Sequence, residues 1–190
     1  MPQTAKKQNH RPLLAALVTL VVLLAATAAI WLAVVRPQLG KGRTETLCDD
    51  FNQSELLHPG DSAAQVFTYD KDLYTIGLEF YLPGANPQGT LEVVLSDADT
   101  GEELAHSTGV MQNIIPDQYT TLGLDTAVAG QPGRRYQLTV TPHYETDAIL
   151  AVGHSVGVAL WKEQMTVNGT PIDGTMAMQV TYQRMGGYLT

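Results

Sequence analysis

One serine lies in a pentapeptide with the spacing of a hydrolase nucleophile. Residues 153–157 read GHSVG, and the G-x-S-x-G pattern places a serine on a sharp turn between a strand and a helix. In those enzymes the catalytic acid and histidine follow the serine in chain order. No histidine follows Ser155 in this chain, and the next residues, VGVALW, alternate as a strand does. The sequence therefore predicts non-catalytic β structure here, and a serine hydrolase is the least favoured of the functions considered.

A second short segment has oxygen ligands at a spacing that suggests calcium. Residues 97–101 read DADTG, so Asp97 and Asp99 offer two carboxylates. A complete calcium loop of the EF-hand type needs glycine at its sixth position and glutamate at its twelfth. Here Gly101 is the fifth residue, and Thr108 stands at the twelfth position. We interpret the segment as a hairpin turn, with calcium at Asp97 and Asp99 as the alternative, and predict no other metal or cofactor.

Three aromatic residues are the candidate ligand-binding residues. A flat aromatic ring presents a broad apolar face with a polar edge, which suits stacking against a sugar. Tyr81 is out of phase with the apolar residues of its segment and is expected to face away from the core. Tyr144 and Trp161 lie in segments with β-like composition. Each aromatic residue could instead be part of the ordinary packing of a sheet.

Charge and cysteine content exclude several classes of protein. The chain has 19 Asp and Glu against 11 Lys and Arg, a formal net charge of −8. The first 36 residues contain none of the acidic residues, so the rest of the chain is more acidic still. Such a surface repels phosphates, which argues against nucleic-acid binding. Cys48 is the single cysteine, so no internal disulfide can form.

The N-terminal region has the pattern of a membrane anchor. Residues 13–35 contain no charged side chain, and a helix of that length would be about 35 Å long, against a hydrocarbon core of about 30 Å. We predict a transmembrane signal-anchor helix over 13–35 with a cytoplasmic tail at 1–12; a cleaved signal peptide is the alternative. The remaining chain would lie outside the cytoplasm, as the extracytoplasmic part of a single-pass protein of the cell membrane.

The remainder of the chain predicts a stem followed by an all-β domain. Residues 36–62 are polar and contain several Pro and Gly residues, which is typical of a linker. Period-two alternation of apolar residues begins near residue 63, with turn sequences between the alternating runs. We predict a β-sandwich over 63–185, with a jelly roll as the preferred topology and an immunoglobulin-like sandwich as the alternative. We expect residues 186–190 to form a short tail.

The order of these features resembles a known kind of module. The likeness rests on the runs QVFTYDKDLYTIGLEFYLPGANPQGTLEVVLSDADTGEEL, DQYTTLGLDTAVAGQPGRRYQLTVTP and VNGTPIDGTMAMQVTY, and it covers residues 64–183. The sequence is similar to the galactose-binding-like β-sandwich modules of bacterial cell-envelope membrane proteins, including polytopic membrane glycosyltransferases. The resemblance implies a jelly-roll domain outside the membrane. It implies no catalytic residue, because the chemistry of those enzymes takes place elsewhere.

Taken together, these features favour a non-catalytic binding or interaction module. We expect the protein to be no enzyme and to present its β-sandwich at the cell envelope, with a glycan or a membrane protein as partner. The alternative is an accessory or truncated N-terminal part of a multi-pass envelope glycosyltransferase.

Overall fold

The fold is described from a computed structural model, which describes residues 11–30, 42–49, 51–157 and 160–182. The chain divides into two compact units, Met1–Lys41 and Gly42–Thr190. The first unit contributes one described helix, and the second contains all of the described strands.

The helix α1 spans Arg11–Ile30 and consists mostly of Leu, Ala and Val. Thr27 turns its hydroxyl back onto the helix and donates to the Leu23 carbonyl at 2.8 Å, which satisfies that polar group locally. Among the described residues, no helix is both long enough and apolar enough to cross a membrane. The prediction of a helix is thus confirmed up to residue 30, the predicted membrane span is not supported, and residues 31–35 lie outside the described residues.

Two antiparallel sheets face each other in the second unit. In the first sheet β4 is the central strand, and β7 pairs with one of its edges. β13 and β9 pair with successive parts of the other edge of β4. β1 and β2 then pair with β13 and β9, while β12 pairs with β9. The strands of this sheet are β1 (Arg43–Cys48), β2 (Gln53–Leu57), β4 (Leu73–Tyr81), β7 (Tyr119–Val128), β9 (Leu150–Ser155), β12 (Thr175–Met176) and β13 (Met178–Tyr182).

The second sheet has the order β11-β10-β3-β8-β5-β6. β3 pairs along its whole length with β8, but β10 covers only Ala63 and Ala64 of its other edge. The rest of that edge, toward Thr68, lies beside the segment that leads into β10. The strands of this sheet are β3 (Ala63–Thr68), β5 (Gly89–Asp97), β6 (Glu103–Val110), β8 (Arg135–Tyr144), β10 (Met165–Val167) and β11 (Thr170–Ile172).

The core fills the space between the sheets with alternating residues, as the sequence predicts. Side chains alternate between the faces of a strand, so every second residue points inward. The apolar residues expected on the inner faces are buried, and the prediction of a β-sandwich is confirmed. They include Ile76, Leu78 and Phe80 of β4; Leu91, Val93 and Leu95 of β5; and Tyr136, Leu138 and Val140 of β8.

The predicted stem over 36–62 is wrong over much of its length. The structure has strand β1 at Arg43–Cys48 and strand β2 at Gln53–Leu57 within that range, and both belong to the first sheet. Leu57 is fully buried in the core. The sandwich therefore begins at β1, about twenty residues before the predicted boundary at 63. These are edge strands with few apolar residues, so they lack the alternation that marks the others.

Candidate functional site

A groove on the second sheet follows β3 and is the candidate binding site. One part, of about 400 Å³, lies between the Thr68 end of β3 and residues 160–163. The other part, of about 390 Å³, continues toward Ser62 across the outer faces of β3 and β8. Val66 and Glu163 line both parts, so the two are adjacent. We call this groove the β3 trough.

A buried glutamine holds one wall of the β3 trough in place. Gln65 is 1% exposed and points inward from β3. Its Nε2 donates to the carbonyl oxygens of Val66, at 2.9 Å, and Glu163, at 3.1 Å, while its Oε1 accepts from the Met176 N–H at 3.1 Å. An amide side chain buried this deeply is stable only when its donors and acceptor are satisfied. The segment around Glu163 is thereby fixed against the sandwich.

An ion-pair network crosses one end of the trough. The Arg135 guanidinium donates through Nη1 to Asp99 Oδ1 at 2.5 Å and through Nη2 to Glu163 Oε1. Arg135 is on the outer face of β8, Asp99 is in the β5–β6 turn, and Glu163 precedes β10. All three side chains remain partly exposed, so the network contributes little to stability. The network places hydrogen-bond donors and acceptors side by side at the surface of the trough.

Trp161 supplies the aromatic wall of the trough. Its ring is half-buried and packs against the buried Phe67, with centroids 5.8 Å apart and planes inclined by 60°. The next residue, Lys162, has a φ of 64°, a left-handed conformation that lysine rarely adopts. This turn allows Trp161 and Glu163, on either side of Lys162, both to line the trough. Residues in sparsely populated φ/ψ regions cluster at active sites and ligand-binding sites.

The other two predicted aromatic residues do not join Trp161. Tyr81 is at the end of β4 in the first sheet and is 45% exposed, as its phase predicts. The Tyr144 hydroxyl donates to the Leu57 carbonyl at 2.6 Å and accepts from the Leu150 N–H at 3.0 Å, so it ties the two sheets together. Burial raises the pKa of this hydroxyl.

Distance along β8 separates Tyr144 from Trp161. Phe67, on which Trp161 packs, is the register partner of Tyr136 on β8. Tyr144 lies eight positions further along the same strand, which is about 26 Å at the usual rise per residue. Of the three predicted ligand-binding residues, the structure thus places Trp161 alone in the trough.

Asp97 and Asp99 lie in the turn that joins β5 to β6. Asp97 Oδ1 accepts from the N–H groups of Asp99 and Thr100, both at 3.0 Å, and Oδ2 accepts from Arg134 Nε at 2.8 Å. The Arg134 guanidinium lowers the pKa of Asp97 to about 2. The Asp99 carboxylate faces Arg135 instead. The two carboxylates therefore bind arginine side chains, and no group of three metal-ligating residues is found in the described residues.

The serine of the GHSVG motif is inside the domain. Ser155 is fully buried at the end of β9, and its Oγ lies 3.1 Å from Cys48 Sγ and 3.4 Å from the Thr175 carbonyl oxygen. The neighbouring His154 is also fully buried, with Nε2 3.6 Å from Glu55 Oε1. The chain continues as a turn at 156–157 and again at 160, and residues 158–159 lie outside the described residues. This geometry differs from a nucleophile elbow, where the serine is exposed on a strand-to-helix turn.

A separate groove lies between β6 and β7, at the side where the two sheets meet. It measures about 580 Å³ and is lined by uncharged residues, among them Thr108, Val110 and Ile115. Tyr119 also lines this groove, but its hydroxyl donates to the Cys48 carbonyl at 2.9 Å. The β3 trough combines an aromatic ring with charged and amide groups on or beside two paired strands, so we favour it as the functional site.

Comparison with known proteins adds no assignment. No family model matches the chain, and a search of curated proteins found no relative. The site must therefore be judged on its geometry. Sequence reasoning identified Trp161 and Asp99 but missed Arg135, Gln65 and Glu163. The alternation of β3 and β8 would have shown which face Gln65 and Arg135 take, but not that residues 160–164 lie beside β3.

Proposed function

We propose that the domain is a non-catalytic binding module that holds a glycan in the β3 trough. The observation that carries the proposal is the juxtaposition of the Trp161 ring with the Arg135–Glu163 pair at one end of a groove on a rigid sheet. A ring face packs against the C–H groups of a sugar, while the guanidinium donates to hydroxyls and the carboxylate accepts from them. The β-sandwich holds these groups in place, since each sits on or beside a paired strand.

The proposal includes a jelly-roll topology for the sandwich. In an immunoglobulin-like sandwich, with strands A, B, E and D on one sheet, several successive strands share a sheet. From β3 to β9 here, β5 and β6 are the one successive pair that shares a sheet within the described chain. The other connections cross from sheet to sheet, which supports a wrapped jelly-roll arrangement. The resemblance to galactose-binding-like modules is part of the same proposal.

The proposal also places the module at the outer face of a cell membrane. Its support is the uncharged sequence over 13–35, which extends beyond the described helix. Fractionation of cells that express the full chain, followed by protease treatment of intact cells, tests this placement. Recovery in the membrane fraction with cleavage of the β-sandwich from outside is expected. Recovery in the soluble cytoplasmic fraction would remove the envelope setting and leave the trough itself unaffected.

A glycan array tests the binding function. We expect the full chain to bind a subset of immobilised oligosaccharides and the Trp161→Ala variant to lose that binding. Tyr81→Ala is the matched control, because Tyr81 is an exposed aromatic residue in the other sheet. Urea denaturation of each variant establishes that it is folded. No binding by the wild-type chain, or equal loss in both variants, would refute the proposed site.

A further inference from the structure

The shape of the β3 trough carries information about the ligand beyond its class. The trough runs along β3 from Thr68 to Ser62, a distance of about 20 Å at the rise of a β-strand. A single sugar ring is much shorter than that. The groove also follows one strand, so its course is nearly straight. A ligand that fills it must be an extended chain.

The charge distribution along the trough indicates an uncharged ligand. Arg135 and Lys162 both line the Trp161 end of the trough and carry two positive charges. The carboxylates of Glu163 and Asp99, to which Arg135 donates, carry two negative charges, so this end of the trough has no net charge. Beyond Glu163 the lining residues are uncharged and mostly polar: Ser62, Gln137, Thr139, Gln164 and Thr166. Residues 37–190 as a whole hold 7 Lys and Arg against 19 Asp and Glu. An anionic chain would be repelled by this domain, whereas hydroxyl groups find hydrogen-bond partners throughout the trough.

We infer that the β3 trough binds a linear, neutral oligosaccharide of several sugar units, with one unit on Trp161 and the units beyond Glu163 on the polar faces of β3 and β8. This inference rests on the proposed function, because it assigns the chain length and charge of the glycan held there. The two parts of the trough act as separate subsites. The Trp161 subsite supplies the aromatic face, and the subsite around Thr139 supplies hydrogen bonds alone.

Affinity as a function of chain length tests the inference. Calorimetry with the full chain uses linear neutral gluco-oligosaccharides from disaccharide to octasaccharide, with oligogalacturonides of the same lengths as the acidic series. We expect the affinity for the neutral series to rise with length until the trough is filled, and the acidic series to bind more weakly at each length.

Two variants separate the subsites. Thr139→Val keeps the shape of the side chain and removes its hydroxyl, so the affinity for a long chain should fall about three- to tenfold while that for a disaccharide is unchanged. Trp161→Ala should weaken both by more than about tenfold. Should Trp161→Ala unfold the chain, Glu163→Gln replaces it, because glutamine keeps the size of this partly exposed side chain.

The possible results distinguish this inference from the proposed function. Binding that does not depend on length, that favours the acidic series, or that Thr139→Val weakens equally for short and long chains would overturn the inference while leaving glycan binding intact. Absence of binding to both series and to every glycan on the array would overturn both.

Discussion

Gln65 Nε2 donates to the Glu163 carbonyl at 3.1 Å, although the two residues are 98 positions apart in the chain. This hydrogen bond joins the inner face of β3 to the segment that forms the trough wall. The same amide accepts from Met176 in the opposite sheet. One buried side chain therefore connects both sheets and the trough, and the position of Glu163 depends on it.

Replacement of Gln65 should cost stability and disorder the trough wall. In Gln65→Leu the Met176 N–H and the Glu163 carbonyl lose their partner inside the domain, and each such loss costs about 1–3 kcal/mol. Urea denaturation at neutral pH measures the change in the free energy of unfolding. Gln164→Ala is the control in the same segment, because Gln164 is exposed and should change that free energy by less than about 0.5 kcal/mol. Equal stability of wild type and Gln65→Leu would contradict this role.

Removal of β1 and β2 should destabilise the sandwich. A chain that lacks residues 1–58 loses the fully buried Leu57, and a Leu side chain in a core is worth about 2–5 kcal/mol by itself. The Tyr144 hydroxyl also loses the carbonyl to which it donates. The matched control lacks residues 1–41 and keeps both strands. Thermal melts followed by circular dichroism should show a much lower midpoint for the shorter chain. Coincident midpoints would indicate that residues up to 58 act as a linker, as the sequence predicted.

The Asp97–Arg134 pair should protect the fold against acid. The folded-state pKa of Asp97 is about 2, below the unfolded value, so the stabilisation is complete above about pH 4 and lost as pH falls toward 2. Asp97→Asn removes this contribution. Urea midpoints measured between pH 2 and pH 5 should converge for wild type and variant at the acid end and separate as pH rises. A constant difference between the two curves would show that Asp97 does not titrate as described.

His154 should give the stability of the fold a second pH dependence, which is caused by burial of the side chain and not by an ion pair. Burial lowers the pKa of His154, and the Glu55 carboxylate offsets part of that effect. The folded state therefore disfavours the proton, so stability is full above about pH 6.5 and decreases as pH falls below it. His154→Leu should flatten the urea midpoint between pH 7 and pH 5, whereas His143→Leu, at an exposed position on β8, should not. A wild-type midpoint without any decrease over this range would contradict the account.

The alternation of apolar and polar residues predicted the central strands, because every second side chain of these strands is buried. Ile76, Leu78 and Phe80 on β4 alternate, and all three are fully buried. Asn-Gly is typical of a two-residue hairpin turn, and Asn168 and Gly169 both take positive φ values in the tight β10–β11 hairpin. The edge strands β1 and β2 were missed because they contain few apolar residues, so no alternating apolar run marks them.

The site was harder to predict because it depends on contacts between distant segments. Arg135 and Glu163 are separated by 28 positions, and nothing in the local sequence of either residue indicates the other. Tyr144 is a second residue whose contacts are not indicated by its local sequence. Tyr144 was a candidate ligand-binding residue with packing as the alternative, and its hydroxyl ties β8 to β2 and β9.

Hydrogen exchange of the full chain with and without the glycan that binds best on the array tests the central claim most directly. If the β3 trough is the binding site, bound glycan should slow amide exchange in peptides covering residues 62–68 and 160–166 and leave the β6–β7 groove at 107–123 unchanged. Protection at 107–123 or around Tyr81, with none along β3, would show that the ligand binds elsewhere and that the trough is not the functional site.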